Sequence, residues 1–182
     1  IKYIENHPFC TIGQICGSYD GNKRDLMEML NHLVEEGDVC FENGEYVLPE
    51  VLGVAKATIV SVKDHFAVAN ICETDEDVHI NDYDMNSALL GDIVYLHAGE
   101  EFKVVRIIKR HYSEIIGEVF KSGKKNYLKV NGIACGNTDF ILNDDAEVEE
   151  GDVVSSSIED YYPDVIKCHL IKVLGQKNAP FM

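Results

Sequence analysis

Apolar and polar positions change rhythm along these 182 residues, from helical spacing to strand alternation. IKYIENH predicts a short leading helix that Pro8 interrupts. Thr11-Ile-Gly-Gln14 matches a capping box, in which the Thr hydroxyl and the Gln amide satisfy free N–H groups at a helix start. Ile12, Ile15, Cys16 and Tyr19 then form one apolar face, closed by Asp20-Gly21. Asn22 caps a third helix whose Leu26, Met29, Leu30, Leu33 and Val34 recur at helical spacing, and Gly37-Asp38 ends it. VCFENGEYVLP follows as two short β-prone runs around Asn43-Gly44, a strong two-residue hairpin signal.

From residue 50 the pattern is that of strands. VAKATIVSVKD alternates, FAVANI and DVHIND follow, and a helix-like YDMNSALL precedes Gly91-Asp92, IVYLHA and FKVVRIIKR. The order then repeats as IIGEVFKS, NYLKV, TDFILND, Gly151-Asp152, VVSSSI and VIKCHLIKVLG. LLGDIV at 89–94 answers EEGDVV at 149–154, VHIND at 78–82 answers FILND at 140–144, and RIIK at 106–109 answers HLIK at 169–172. The repeat predicts one β plan written twice, with each Gly permitting a turn and each Asp bonding backbone before a fourth strand. The expected fold is multi-domain and mainly β with an α-rich N-terminus. It places a winged helix at 1–49, five-stranded OB-fold barrels of cold-shock type at 50–112 and 113–175, and the start of a linker at 176–182.

Charge narrows the function. The net charge of −16 is spread over all three segments, at −6 for 1–49 (three basic against nine acidic residues), −5 for 50–112 (six against eleven) and −5 for 113–182 (seven against twelve). A generic polyanion binder carries a basic face, so any nucleic-acid affinity here rests on local patches and on stacking. The six cysteines show no CxxC pair, which predicts reduced thiols in a cytoplasmic protein. No apolar run is long enough to span a bilayer, so no membrane partner is expected. There is no phosphate-binding Gly loop, activated nucleophile or His pair at metal spacing, so neither a small-molecule substrate nor a catalytic residue is expected in these residues.

The order of segments, "LLGDIVYL" before the fourth strand, "SEIIGEVF" opening the second barrel and "LIKVLGQKNAPFM" at its end together resemble the ribonuclease R branch of the RNase II family, in the region ahead of its catalytic domain. At the junction the family has Leu-Gly and then Pro-Gly with an acidic residue; here Pro180 is followed by Phe181. The resemblance implies an N-terminal region that guides single-stranded RNA to a 3′-to-5′ exoribonuclease domain missing from this chain. The magnesium of that family belongs to the missing domain, so no cofactor and no hydrolysis are expected here. The acidic runs ETDEDVHINDYD and NDDAEVEEGD are read as solvated loops rather than as a metal cluster.

Cold-shock barrels stack bases on aromatic side chains of their second and third strands, while cations hold phosphates. His65-Phe66-Ala67-Val68 resembles the family's second-strand motif with Val68 in place of its second aromatic, and His79 stands at the family's third-strand Phe. Phe66, His79 and, in the second barrel, Tyr127 are therefore the candidate stacking residues; strand parity leaves an inward, core role open for each. The candidate phosphate contacts are Lys103, Arg106, Lys109 and Arg110 along the last strand of the first barrel, and Lys121, Lys124, Lys125 and Lys129 at the first turn of the second. A regular strand would give Arg106 and Arg110 the same parity and so the same face. The third helix carries Lys23 and Arg24 only at its start, ahead of Glu28, Glu35 and Glu36, which favours docking over reading of DNA sequence. Beside RNA guidance stands a second expectation, an acidic module docking its parent enzyme or a ribosome-associated partner.

Overall fold

The structure is a computed structural model and describes residues 1–176. Apart from Gln176, the junction sequence read at 176–182 lies outside the described residues. Three helices open the chain, α1 (Lys2–Asn6), α2 (Ile12–Ser18) and α3 (Lys23–Glu35), followed by the hairpin β1 (Cys40–Glu42) and β2 (Glu45–Val47). Thr11 and Gln14 make both bonds of the capping box, and the Asn22 side chain accepts from the Arg24 N–H at 2.8 Å. At the far end of α3, Gly37 (φ +82°) turns left-handed while the Gly37 and Asp38 N–H groups bond back to Val34 and Leu33. Ile4, Cys10, Ile15, Leu26, Leu30, Val39, Tyr46 and Leu48 form the core of this unit. Met29, expected on the apolar face of α3, is 47% exposed, because the helix turns Leu26 and Leu30, with Leu33 and Val34 beside them, toward the core instead.

The next five strands are β3 (Val54–Val62), β4 (Phe66–Ile71), β5 (Glu76–Asn81), β6 (Ile93–Ala98) and β7 (Phe102–Lys109), paired in the order β5-β4-β3-β6-β7. The stretch read as helix-like between β5 and β6 forms only a short 3-10 turn over Asp82–Asp84. Asn86 (φ +49°) and Ser87 (φ +61°) are both left-handed, which no α-helix tolerates.

Five further strands, β8 (Glu114–Ser122), β9 (Lys125–Lys129), β10 (Asp139–Leu142), β11 (Asp152–Tyr161) and β12 (Val165–Gln176), close into a barrel that fits an OB-fold. The first sheet pairs its strands in the same sequence of neighbours. It differs in its last step, since β10 pairs with β12 in parallel to close the barrel while β5 and β7 share no ladder.

The doubled Gly-Asp does one job in both places. Gly91 (φ +86°) donates its N–H to Ile59 O at 2.8 Å, and Gly151 (φ +89°) donates to Val119 O at 2.9 Å. Each Asp carboxylate then accepts the N–H three residues back, Leu89 to Asp92 at 2.9 Å and Glu149 to Asp152 at 2.8 Å. Both turns pin the start of a fourth strand to the middle of a first one. Asp92 carries more, because it also accepts from Arg110 Nη1 at 2.7 Å and from the His111 N–H at 2.9 Å.

The units interlock. Leu89, from the turn before β6, is fully buried among the barrel's Ile115, Leu128, Phe140 and Val154. In return Cys135, from the β9–β10 loop, is buried among Ala67, Ile80, Met85 and Val104 of the first sheet. Leu90 N–H to Ile133 O and Gly136 N–H to Asp64 O, each 2.8 Å, satisfy backbone groups across this seam. The N-terminal unit docks on the other side, where Tyr95 Oη donates to Gly37 O at 2.7 Å and packs with Cys40 and Val47. A Cβ on Gly37 would lie 2.7 Å from Ile108 Cδ1 and displace the end of that side chain, but it is the left-handed φ that favours glycine here.

All six cysteines are free thiols. Cys10, Cys40, Cys135 and Cys168 are buried, and burial pushes their thiols up, Cys135 to about 11 and Cys168 to about 12. Only the thiolate is a good nucleophile, so timed alkylation at pH 8 followed by mass spectrometry will label the exposed Cys72 first and leave those four unmodified until unfolding.

Candidate nucleic-acid interface

Alternation along β4 sends Ala67, Ala69 and Ile71 into the core and leaves Phe66, Val68 and Asn70 on the outer face. The ladder sets Val68 opposite His79, so Phe66 lies diagonal to the imidazole. Their rings stack with centroids 4.4 Å apart and planes 20° apart. Phe66 is half-buried against this partner and His79 is exposed.

A matching pair stands on the barrel. Ile115, Val119 and Leu128 point inward, and the two-residue loop Gly123-Lys124 sets the register Ser122↔Lys125 and Phe120↔Tyr127. The Phe120 and Tyr127 rings stack at 5.5 Å and 17°, with Phe120 41% exposed. Phe120 was not among the residues singled out from the sequence, although the hairpin register would have found it. Lys125 and Lys129 flank Tyr127 on the same strand face. Ile141 lies across from Tyr127, and Lys167 across from Ile141 in the parallel ladder. Lys167 had no local signal, since only the closing of the barrel brings β12 beside β10.

The eight candidate cations divide. Arg106 lies 3.7 Å from Glu42, and Lys109 lies 3.3 Å from Glu36, whose carboxyl that bond holds below its ordinary range. Arg110 is half-buried, bonds Asp92 and Ser87, and sets its guanidinium 3.1 Å from the centroid of the Tyr161 ring. Arg106 and Arg110 therefore do not share a face. The β6–β7 ladder shifts register twice, and Arg110 lies beyond the end of β7, so simple parity fails. These three side chains tie the units together. Lys103, Lys121, Lys124, Lys125 and Lys129 are exposed, and among the described residues Lys103, Lys121, Lys124 and Lys125 form no ion pair. Lys129 stands opposite Glu118 in the ladder.

Acidic groups edge the first sheet. Asn70 Nδ2 donates to both Asp75 (3.0 Å) and Asp77 (3.1 Å), and His65 Nδ1 lies 3.7 Å from Asp82. Among the described residues no three His, Cys, Asp or Glu are placed to hold a metal ion, and no helix is long and apolar enough to cross a membrane. The outer surface of β8–β10 is thus a ring pair bordered by lysines, and that of β4–β5 is a ring pair bordered by carboxylates.

No protein-family model matches the sequence, and no curated protein matches it. Solved structures do match. The apo form of Mycoplasma genitalium RNase R is similar with a TM-score of 0.52 at 18% identity, over 68% of this chain and 22% of that one. Yeast Ssd1, a pseudonuclease, is similar with a TM-score of 0.56 at 13% identity, over 83% of this chain and 24% of that one. The chain therefore spans about a quarter of the length of the proteins it resembles, and what it shares with both is their fold.

Proposed function

We propose that this chain is an RNA-binding region of the RNase II/R type, with a winged helix and two tandem OB barrels that guide single-stranded RNA toward a hydrolytic domain outside it. The observation that carries this reading is the outer face of β8–β10, where Phe120 and Tyr127 stack side by side next to Lys125. Rings for bases and unpaired ammonium groups for phosphates are what a sequence-tolerant single-strand groove needs. The similarity in fold to RNase R and Ssd1 supports an RNase II/R-like relation, and because Ssd1 is a pseudonuclease it carries no hydrolysis with it.

Fluorescence anisotropy with a labelled poly-U or poly-A oligomer at low salt tests the reading. Binding is expected to weaken steeply with salt. Lys124→Ala with Lys125→Ala is expected to lower the slope of log K against log salt by roughly 1 to 1.5. No binding at low salt would defeat it.

One observation favours a second reading. With Arg106, Lys109 and Arg110 engaged by carboxylates, the surface left by a net charge of −16 suits a basic protein. Recovery of basic proteins in a pull-down that RNase treatment leaves unchanged would support that docking role instead.

A further inference from the structure

Between the first sheet and the β11–β12 hairpin lies an open cavity of about 370 Å³, bordered by Asn86, Ser87, Arg110, Tyr161, Tyr162 and Pro163. That volume falls within the roughly 300–1,000 Å³ of small-molecule sites. Ile107 and Ile108 complete its wall, and no lining residue is acidic, in a chain carrying −16. Tyr162 is 47% exposed, with the Lys167 ammonium 5.3 Å from its ring centroid. Asn86 and Ser87 are consecutive left-handed residues, held there by the bonds of Arg110 to Ser87 O and Oγ. Among the described residues the Asn86 side-chain amide makes no hydrogen bond, so its donors and its acceptor are unspent at the border of the cavity.

We propose that this cavity receives one unpaired nucleobase, stacked on Tyr162 with its edge at the Asn86 amide. The inference rests on the RNA-binding reading and adds a contact beyond the ring pairs, reached from the barrel face through Lys167. The chemistry selects a base over a free anion. Arg110 gives three of its five N–H groups to Asp92 and Ser87 and has its charge balanced by Asp92, and the exposed Asp160 and Asp164 flank the tyrosines, so a free anion finds no unpaired positive charge inside the cavity. What remains is a flat apolar ring and an uncharged donor–acceptor group, the two features by which proteins hold a splayed-out base. Lys167, beside Tyr162, supplies a cation for the phosphate attached to that base.

The test is photocrosslinking of the whole chain to a poly-U oligomer carrying 4-thiouridine, with the attachment sites mapped by mass spectrometry. Crosslinks are expected at the peptides holding Asn86 or Tyr161–Pro163 as well as on β8–β9. Tyr162→Ala is expected to abolish the former and weaken anisotropy-measured affinity about 10-fold, the scale of one lost stack. Tyr162→Phe, which keeps the ring, is expected to retain both. An oligomer that binds the wild-type chain but crosslinks only to the β8–β9 face would overturn this site and leave the RNA reading standing. An oligomer that does not bind at all would sink both.

Discussion

Replacing Asp92 by alanine is expected to destabilise the chain by about 3–5 kcal/mol, the scale of breaking a buried ion pair from one side. The equivalent change at Asp152 is expected to remove only about 1–3 kcal/mol, the scale of one unsatisfied buried donor. The sequence writes the two turns alike, yet their surroundings differ. Asp92 is fully buried and accepts from Leu89, Arg110 and His111, so its loss strands two backbone N–H groups and leaves the Arg110 guanidinium, 18% exposed, without its counter-charge. Burial already pulls the Arg110 pKa below its ordinary value while Asp92 draws it back up. Asp152 is 7% exposed and, among the described residues, its carboxylate accepts only from the Glu149 N–H. Thermal and urea melts followed by circular dichroism will rank the two variants. Arg110→Met in the Asp92→Ala background is expected to restore part of the loss, since it removes the orphaned charge. Equal destabilisation by both alanines would mean that the turn, and not the ion pair, is what matters at Asp92.

That contrast also marks where the sequence stops being readable. Local chemistry was legible: the Thr11 box, the Asn43-Gly44 hairpin and the doubled Gly-Asp turn each need only a few adjacent residues, and each forms. The ring residues were named, but their direction was not, because a one-residue slip exchanges inner and outer faces. Burial of Ala67, Ala69 and Leu128 settles it, turning Phe66 and Tyr127 outward. Phe120 was recoverable from the Gly123-Lys124 loop, which counts back to Tyr127 without any structure. Leu89 and Cys135 were beyond reach, since each fills the core of a unit to which its own segment does not belong. Arg110 fails for the same reason. Its partners Asp92 and Tyr161 are eighteen and fifty-one residues away, and no periodicity registers a contact at such distances.

Removal of both rings of the barrel pair, Phe120→Ala with Tyr127→Ala, is expected to weaken binding of a single-stranded oligomer by about 10- to 100-fold with the salt slope unchanged. Each base stack contributes about 1–3 kcal/mol, and the two rings, lying parallel and 5.5 Å apart, offer at least one such surface. Their contribution to folding is smaller, about 0.2–1 kcal/mol for an exposed cross-strand pair, so the melting temperature is expected to move little. The same treatment of the first sheet, Phe66→Ala with His79→Ala, is expected to weaken binding less. Its rings stand among Asp75, Asp77 and Asp82, which oppose an approaching phosphate, whereas the barrel pair has Lys125 on its own face. Tyr127→Phe keeps the ring and removes only the hydroxyl, so it separates stacking from hydrogen bonding. Anisotropy at fixed low salt for these variants reads the ranking directly. Unchanged affinity in both double variants, with melting preserved, would reduce the rings to sheet packing and leave the acidic surface as the face that meets a partner.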